Sequence, residues 1–384
     1  MEKSYLLDKL NSVNKNILEN YNSESNVGVL NGLSGLALFL GYYDKYVLKS
    51  SSALQIEETF NLCIEKINEG NKMLTFCDGI SGFAWALIFL QDNNLIDDIN
   101  EDIFDSLDEY ISEWIIYCIE NNNFDFLHGS TGGIFYILNR IKNSQNCQKK
   151  FEPLIKKFID SLYKRYCEIL DFKNFRKHQD FKKRTYLGLA HGIAGLINVL
   201  SKLSLLGSFN KDSLSLLDLY TSFLFSIAEE SEIKISLFPS WLTQKTDIKT
   251  EESALSWCSG DLGIGISLLN AAETVKDQYI KNKALEILTH SSKRIMYEKS
   301  LLTGPGMCHG FFGAYKIFSR AYTLTKENIF LEAKEYWLKK GLVYIKHHNT
   351  NDLSILNGQS GIGLALIDAY TEIDHEWGEC LLIS

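Results

Sequence analysis

Proline is scarce in this chain: three residues in 384, set against 26 glycines. That balance fits neither a disordered linker protein nor a fibrous one. An excess of positive charge is also missing. The formal net charge is −9, which argues against indiscriminate nucleic-acid binding. No apolar run approaches the length that spans a bilayer, and the start, "MEKSYLLDKLNSVNKN", has no apolar core like that of a signal peptide. The expected compartment is the cytosol, with any place at the membrane periphery coming through partners. A disulfide framework is not expected in so long a chain without an export signal, so its eight cysteines are read as free, buried or metal-bound thiols. Cys63, Cys118 and Cys167 lie in helical-looking apolar stretches and read as core, whereas Cys147, in "NSQNCQKK", reads as an exposed thiol.

What is present is repetition. The chain reads "NGLSGLALFL" from Asn31, "DGISGFAWAL" from Asp78, "HGSTGGIFYIL" from His128 and "HGIAGLINVL" from His191. It continues with "SGDLGIGISLL" from Ser259, "HGFFGAYKIF" from His309 and "NGQSGIGLAL" from Asn357. The first glycines are spaced by 47, 50, 63, 68, 50 and 48 residues, a period that marks a repeat architecture. Each motif precedes a nearly uncharged run, and between motifs lie amphipathic stretches such as "IFDSLDEYISEWIIYCIE". One repeat is therefore an outer amphipathic helix, a glycine turn and an inner buried helix. The first glycine is expected to take positive φ, the second to let the helix start close to its neighbours, and polar side chains to cap the inner helix. Hairpins of this kind bury their inner faces by closing on one another. The predicted fold is all-α, an α/α toroid of seven helical-hairpin repeats and about fourteen helices, in one domain over 1–384. An open superhelix is the alternative. Insertions near 171–186, with six basic residues and three phenylalanines, and near 239–253 belong on an open face.

In a ring, equivalent turns converge. Cys258 and Cys308 hold the same turn position in adjacent repeats, and His309 follows one of them. Two thiolates and an imidazole suit Zn²⁺, one per chain, with a fourth position open for catalysis. The alternatives are that all three pack the turns, or that Cys77 closes the site as a fourth ligand. His191 opens the repeat beside Cys258 and reads as a proton donor or acceptor, or else as a helix cap. Asp125, four residues before Gly129, reads by position alone as a cap or a functional carboxylate. His128 is a candidate lining of the same cavity.

These motifs, above all "SWCSG" paired with "MCHG" and preceded by "LAHGIAG", resemble those of the lanthionine synthetase C-like family, the cyclases of lantibiotic biosynthesis. The resemblance implies an α/α toroid with zinc on Cys258, Cys308 and His309, and catalytic roles for His191 and Asp125. It implies an activity as well: addition of peptide cysteine thiolates to dehydroalanine or dehydrobutyrine, giving lanthionine or methyllanthionine rings. Its implied partners are a dehydrated precursor peptide with a leader segment, a dehydratase and a transporter of the same pathway. The basic insertion at 171–186, including Lys182, Lys183 and Arg184, is a candidate leader-binding surface or else a solvated outer helix. Two positions depart from the family pattern: Ser259 stands where tyrosine is common, and Ala254 where arginine is often found.

Other functions have less support. The same site could serve addition or binding of a small thiol such as glutathione, or the toroid could be a non-catalytic peptide scaffold. A glycoside hydrolase needs two opposed carboxylates, and only Asp78 and Asp261 join Asp125 at the turns. No Lys-Ser/Thr ending turns a glycine motif into a phosphate loop, so no nucleotide is expected.

Overall fold

The computed structural model describes residues 3–49, 54–142, 145–174, 184–228, 235–242 and 252–384. Seven inner helices, Leu33–Tyr43, Ile80–Asp92, Ser130–Lys142, Ile193–Leu203, Asp261–Val275, Phe311–Thr325 and Gln359–Thr371, pack side by side in chain order. The last also packs on the first, so the ring is closed. Outside it lie Lys3–Asn20, Leu54–Asn68, Glu101–Glu120, Gln145–Asn174, Asn210–Phe225, Gln278–Ser292 and Asn328–His347, with Lys3–Asn20 against the last inner helix. A four-residue helical turn, Tyr297–Ser300, is added before the sixth motif. The all-α toroid read from the repeats is the observed fold.

Inner and outer helices differ as their sequences demand. Every residue of Leu33–Tyr43 is buried, because neighbours cover the helix on all sides; only a nearly uncharged sequence tolerates that. Glu101–Glu120 instead buries one stripe, Phe104, Asp108, Ile111, Ile115, Cys118 and Ile119. Its N-terminus is capped by Asn100, whose side chain accepts from the Asp102 N–H. Each fully buried Leu, Ile or Phe contributes roughly 1.5–3 kcal/mol, and the inner ring concentrates such residues.

Two cysteine assignments need correction. Cys147 is buried, because Gln145–Asn174 begins before it and places it on a stripe with Phe151, Leu154, Ile155 and Phe158. Cys167, on the same helix, falls off that stripe and is exposed. Cys63 and Cys118 are buried as expected.

The last residues fill the ring from within. Leu381, Leu382 and Ile383 are buried, and their carbonyls accept from Trp257 Nε1 (2.7 Å), Asn198 Nδ2 (3.1 Å) and Asn270 Nδ2 (2.9 Å), in that order. Lys316, wholly buried on the sixth inner helix, donates to Asp368, Asp374 and the His375 carbonyl at 2.7–2.8 Å. Of the two insertions, residues 175–183 and 243–251 lie outside the described residues, Lys182 and Lys183 among them. Their described ends form a ladder that the sequence did not announce, Thr185 opposite Leu242 and Tyr186 opposite Trp241.

Candidate active site and metal centre

The turns are built differently from expectation, and the difference matters for chemistry. The first glycines do not take positive φ: Gly79, Gly192, Gly260, Gly310 and Gly358 lie between −106° and −140°. Glycine is needed for closeness instead. A Cβ at Gly260 would overlap the Ala254 carbonyl oxygen, and one at Gly263 that of Trp257. Nor do side chains cap these helices. Backbone carbonyls seven residues earlier receive the free N–H groups: Ile80 donates to Met73, Ser130 to Asn123, Ala194 to Leu187, Gly263 to Ser256 and Phe311 to Gly304. The polar residue before each first glycine is thereby released from capping.

A backbone circuit joins the turns. Leu30 N–H donates to the Cys77 carbonyl, Cys77 to Leu127, Phe126 to Ala190, Ala190 to Cys258, Cys258 to Cys308, Cys308 to Leu356 and Leu356 to Leu30, at 3.0–3.4 Å. Residues about fifty apart in sequence become bonded neighbours at one end of the ring. This circuit puts Cys258 against Cys308 and places His191 directly after a residue bonded to Cys258.

Ligand atoms of Cys258, Cys308 and His309 lie within 4.8 Å of one another. Both cysteines are half-buried, His309 is exposed, and neither sulfur is in a disulfide. Hydrogen bonding from the Cys308 thiol draws the Cys258 pKa well below the ordinary thiol range despite burial, while the same bond pushes Cys308 up. Physically, one proton is shared by two sulfurs. The bond to Cys258 likewise raises His309. Ser256 and Ser259 hydroxyls lie 3.8 Å from the Cys258 sulfur, so Ser259 occupies the tyrosine position as a small polar neighbour. Two adjacent thiols and an imidazole, brought together without a disulfide, are a donor set that fits a divalent zinc ion.

Asp125 and His191 form the second group. His191 Nδ1 lies 2.6 Å from Asp125 Oδ2, and the other carboxylate oxygen accepts from the His128 N–H at 2.8 Å. The hydrogen bond to Asp125 raises the His191 pKa against the effect of burial, and the nearby Cys258 adds to the rise. Tyr186 stands 6.2 Å from the His191 ring, and Trp241 is 6.2 Å from Tyr186 in turn. Neither aromatic was marked by the repeat pattern, since both come from the insertions. Ser256 was also missed, and "SWCSG" was the signal for it. His128 reaches the same rim, its ring 6.4 Å from His191, but its Nδ1 pairs with Asp78 Oδ2 at 3.3 Å.

The positive charge lacking at Ala254 has a counterpart behind the turn. Arg294 donates to the Ser253 carbonyl at 2.5 Å and to Asp261 at 3.1 Å. Asp261 is fully buried and also accepts from the Leu237 and Phe238 N–H groups. It is a structural carboxylate and gives no support to a glycosidase pair.

An α/α toroid carrying a thiol–imidazole cluster beside a His–Asp dyad defines the class. A family model described as lanthionine synthetase C-like protein matches residues 6–382, and the chain belongs to that family. It is 24% identical over 379 residues to the nisin biosynthesis protein NisC of Lactococcus lactis subsp. lactis, covering 92% of this chain and 88% of the relative. Its fold is similar to the solved structure of a nisin cyclase, with a TM-score of 0.76 at 20% identity, over 97% of this chain and 96% of the other.

Proposed function

We propose that this protein is a peptide cyclase that closes thioether rings in a dehydrated precursor. The observation that carries the reading is the His191–Asp125 dyad beside the Cys258, Cys308 and His309 cluster on one rim, in a member of this family. In the proposed reaction a peptide thiol adds to the β-carbon of dehydroalanine or dehydrobutyrine, and the α-carbon then takes a proton. The thiol proton must leave and the enolate must be protonated, so one group that takes the first proton and returns it closes the balance. Cys258, Cys308 and His309 would hold zinc. Zinc held there supplies Lewis acidity that lets a thiol ionise at neutral pH.

His191 is assigned the proton transfers. Asp125 fixes its Nδ1–H, which leaves Nε2 to accept a proton and later return it. The raised pKa favours holding that proton between the two steps. The rim brings both reacting groups of a flexible peptide together, lowering the entropic cost of closing the ring. The proposed partners are the leader-bearing precursor, a dehydratase and a transporter of one pathway. Among the described residues no helix is long and apolar enough to cross a membrane. We also take residues 1–384 as one toroid domain with its insertions at the mouth.

The test is mass spectrometry of a dehydrated candidate peptide after thiol alkylation, with and without the protein. Ring closure leaves peptide mass unchanged and removes alkylatable cysteines. Full alkylation after incubation with zinc-loaded protein would refute the reading for that peptide. If glutathione, supplied in the same assay, were added to the dehydro residues instead, the intermolecular alternative would replace it.

A further inference from the structure

The ring repeats a metal-type arrangement a second time. Cys77, Asp78 and His128 offer a sulfur, a carboxylate oxygen and an imidazole nitrogen within 4.8 Å of one another. Their places in the backbone circuit match those of the first cluster. Cys77 N–H donates to the Leu127 carbonyl as Cys258 N–H donates to Cys308. By turn position, Cys77 therefore corresponds to Cys258, Leu127 to Cys308 and His128 to His309. Leu127 offers no donor, but Asp78, in the place of Ser259, supplies a carboxylate that the first cluster lacks. We propose that Cys77, Asp78 and His128 form a second divalent-cation site on the same rim.

Three groups converge on the Asp78 carboxylate. Asn31 Nδ2 donates to Oδ1 at 2.8 Å, His128 Nδ1 lies 3.3 Å from Oδ2, and the Cys77 thiol is hydrogen-bonded to it. Two of the three carry their protons on metal-ligating atoms. Binding replaces the Cys77 proton with the cation and releases it to water. Asn31 stays in place and orients the carboxylate, as the partners of metal ligands commonly do. Cys77 is only 3% exposed, so its sulfur faces the other two donors and not bulk water. The His128 side chain, 46% exposed, keeps the site open to the mouth.

One thiolate, one carboxylate and one imidazole suit a borderline ion such as Zn²⁺ or Co²⁺. With a single thiolate this site is the weaker of the two. The inference does not depend on the cyclase reading, because it concerns metal binding alone.

The experiment is a Co²⁺ titration of chelator-treated protein, read by metal content and by the thiolate-to-cobalt absorption in the near ultraviolet. Wild type is expected to take two ions per chain, and C258A/C308A one, still with thiolate absorption. Adding C77A to that pair should remove the remaining ion, and adding N31A should weaken it by about tenfold or more. If C258A/C308A does not keep its helicity, C77A in the otherwise unchanged chain decides, by lowering the count from two to one. A wild-type count of one overturns the proposal, as does an ion retained by C258A/C308A after C77A is added. Two ions per wild-type chain with no ring closure of a dehydrated peptide would count against the cyclase reading and leave this site standing.

Discussion

His191→Asn, alone and with Asp125→Asn, tests the proton-transfer assignment. The His191 side chain is 38% exposed and hydrogen-bonds to Asp125, so asparagine fits the space with little effect on folding. Removing a positioned acid–base group typically slows reaction by roughly 10²- to 10⁴-fold, or about 3–5 kcal/mol of barrier at 1.36 kcal/mol per tenfold. Geometry predicts the second variant's behaviour. Asp125 Oδ1 accepts the His128 N–H, and in D125N that N–H holds the amide oxygen in the same place. The amide NH₂ then faces His191 Nδ1 and makes it the acceptor, so the ring proton moves to Nε2. His191 can no longer take the thiol proton there. D125N should thus fall within about tenfold of H191N. The double variant should be no slower than H191N, because Asp125 acts through His191. The assay is single-turnover ring closure followed by alkylation and mass spectrometry, with zinc content checked in each variant. The assignment fails if H191N cyclises within about twofold of wild type. It fails also if D125N slows H191N by the factor by which it slows wild type.

C308A should lose the tightly bound zinc while circular dichroism keeps most helicity, since the helices pack without the ion; full zinc occupancy in that variant would remove Cys308 from the ligand set. The His191–Asp125 pair should stabilise the fold most below the ordinary imidazole pKa of about 6.5, and lose that contribution as pH rises through the raised folded value. The stability gap between wild type and D125N, read by urea midpoints, should therefore be wide near pH 5.5 and shrink above pH 8; a gap that widens with pH contradicts the direction. Gly263→Ala drives a Cβ into the Trp257 carbonyl, which the packed ring cannot relieve by a rotamer change. A loss of about 2–4 kcal/mol is expected by denaturant unfolding, and a loss under 0.5 would show the turn to be pliable.

The fold was legible because buried inner helices and glycine turns each leave a local signature, repeated seven times. Closure of the ring was legible only indirectly, since the bonds from Leu356 to Leu30 link residues at opposite ends of the sequence. Ligand candidates were legible because equivalent turn positions become neighbours in any closed ring. Their second arrangement at Cys77, Asp78 and His128 was hidden, because Leu127 stands where a second cysteine would be and no pair of thiols marks the two turns. Cys147 and Cys167 were misplaced because helical phase over Gln145–Asn174 cannot be set from short windows.

The wrong expectation about capping is the most informative. Had Asn31, Asp78, His128, His191, Ser259, His309 and Asn357 capped their helices, each would be tied down by the N–H groups behind it. Carbonyls seven residues earlier take that duty instead, so the fold places few demands on these side chains. The ring needs the glycines and the backbone circuit, while the residue before each glycine can change without unpairing the helix start. One scaffold can then present asparagine, aspartate, histidine or serine at equivalent points around a single mouth. Chemistry on this ring depends on which turn carries which residue. For that reason the roles proposed for His191 and Asp125 rest on the bond between them, and not on their positions alone.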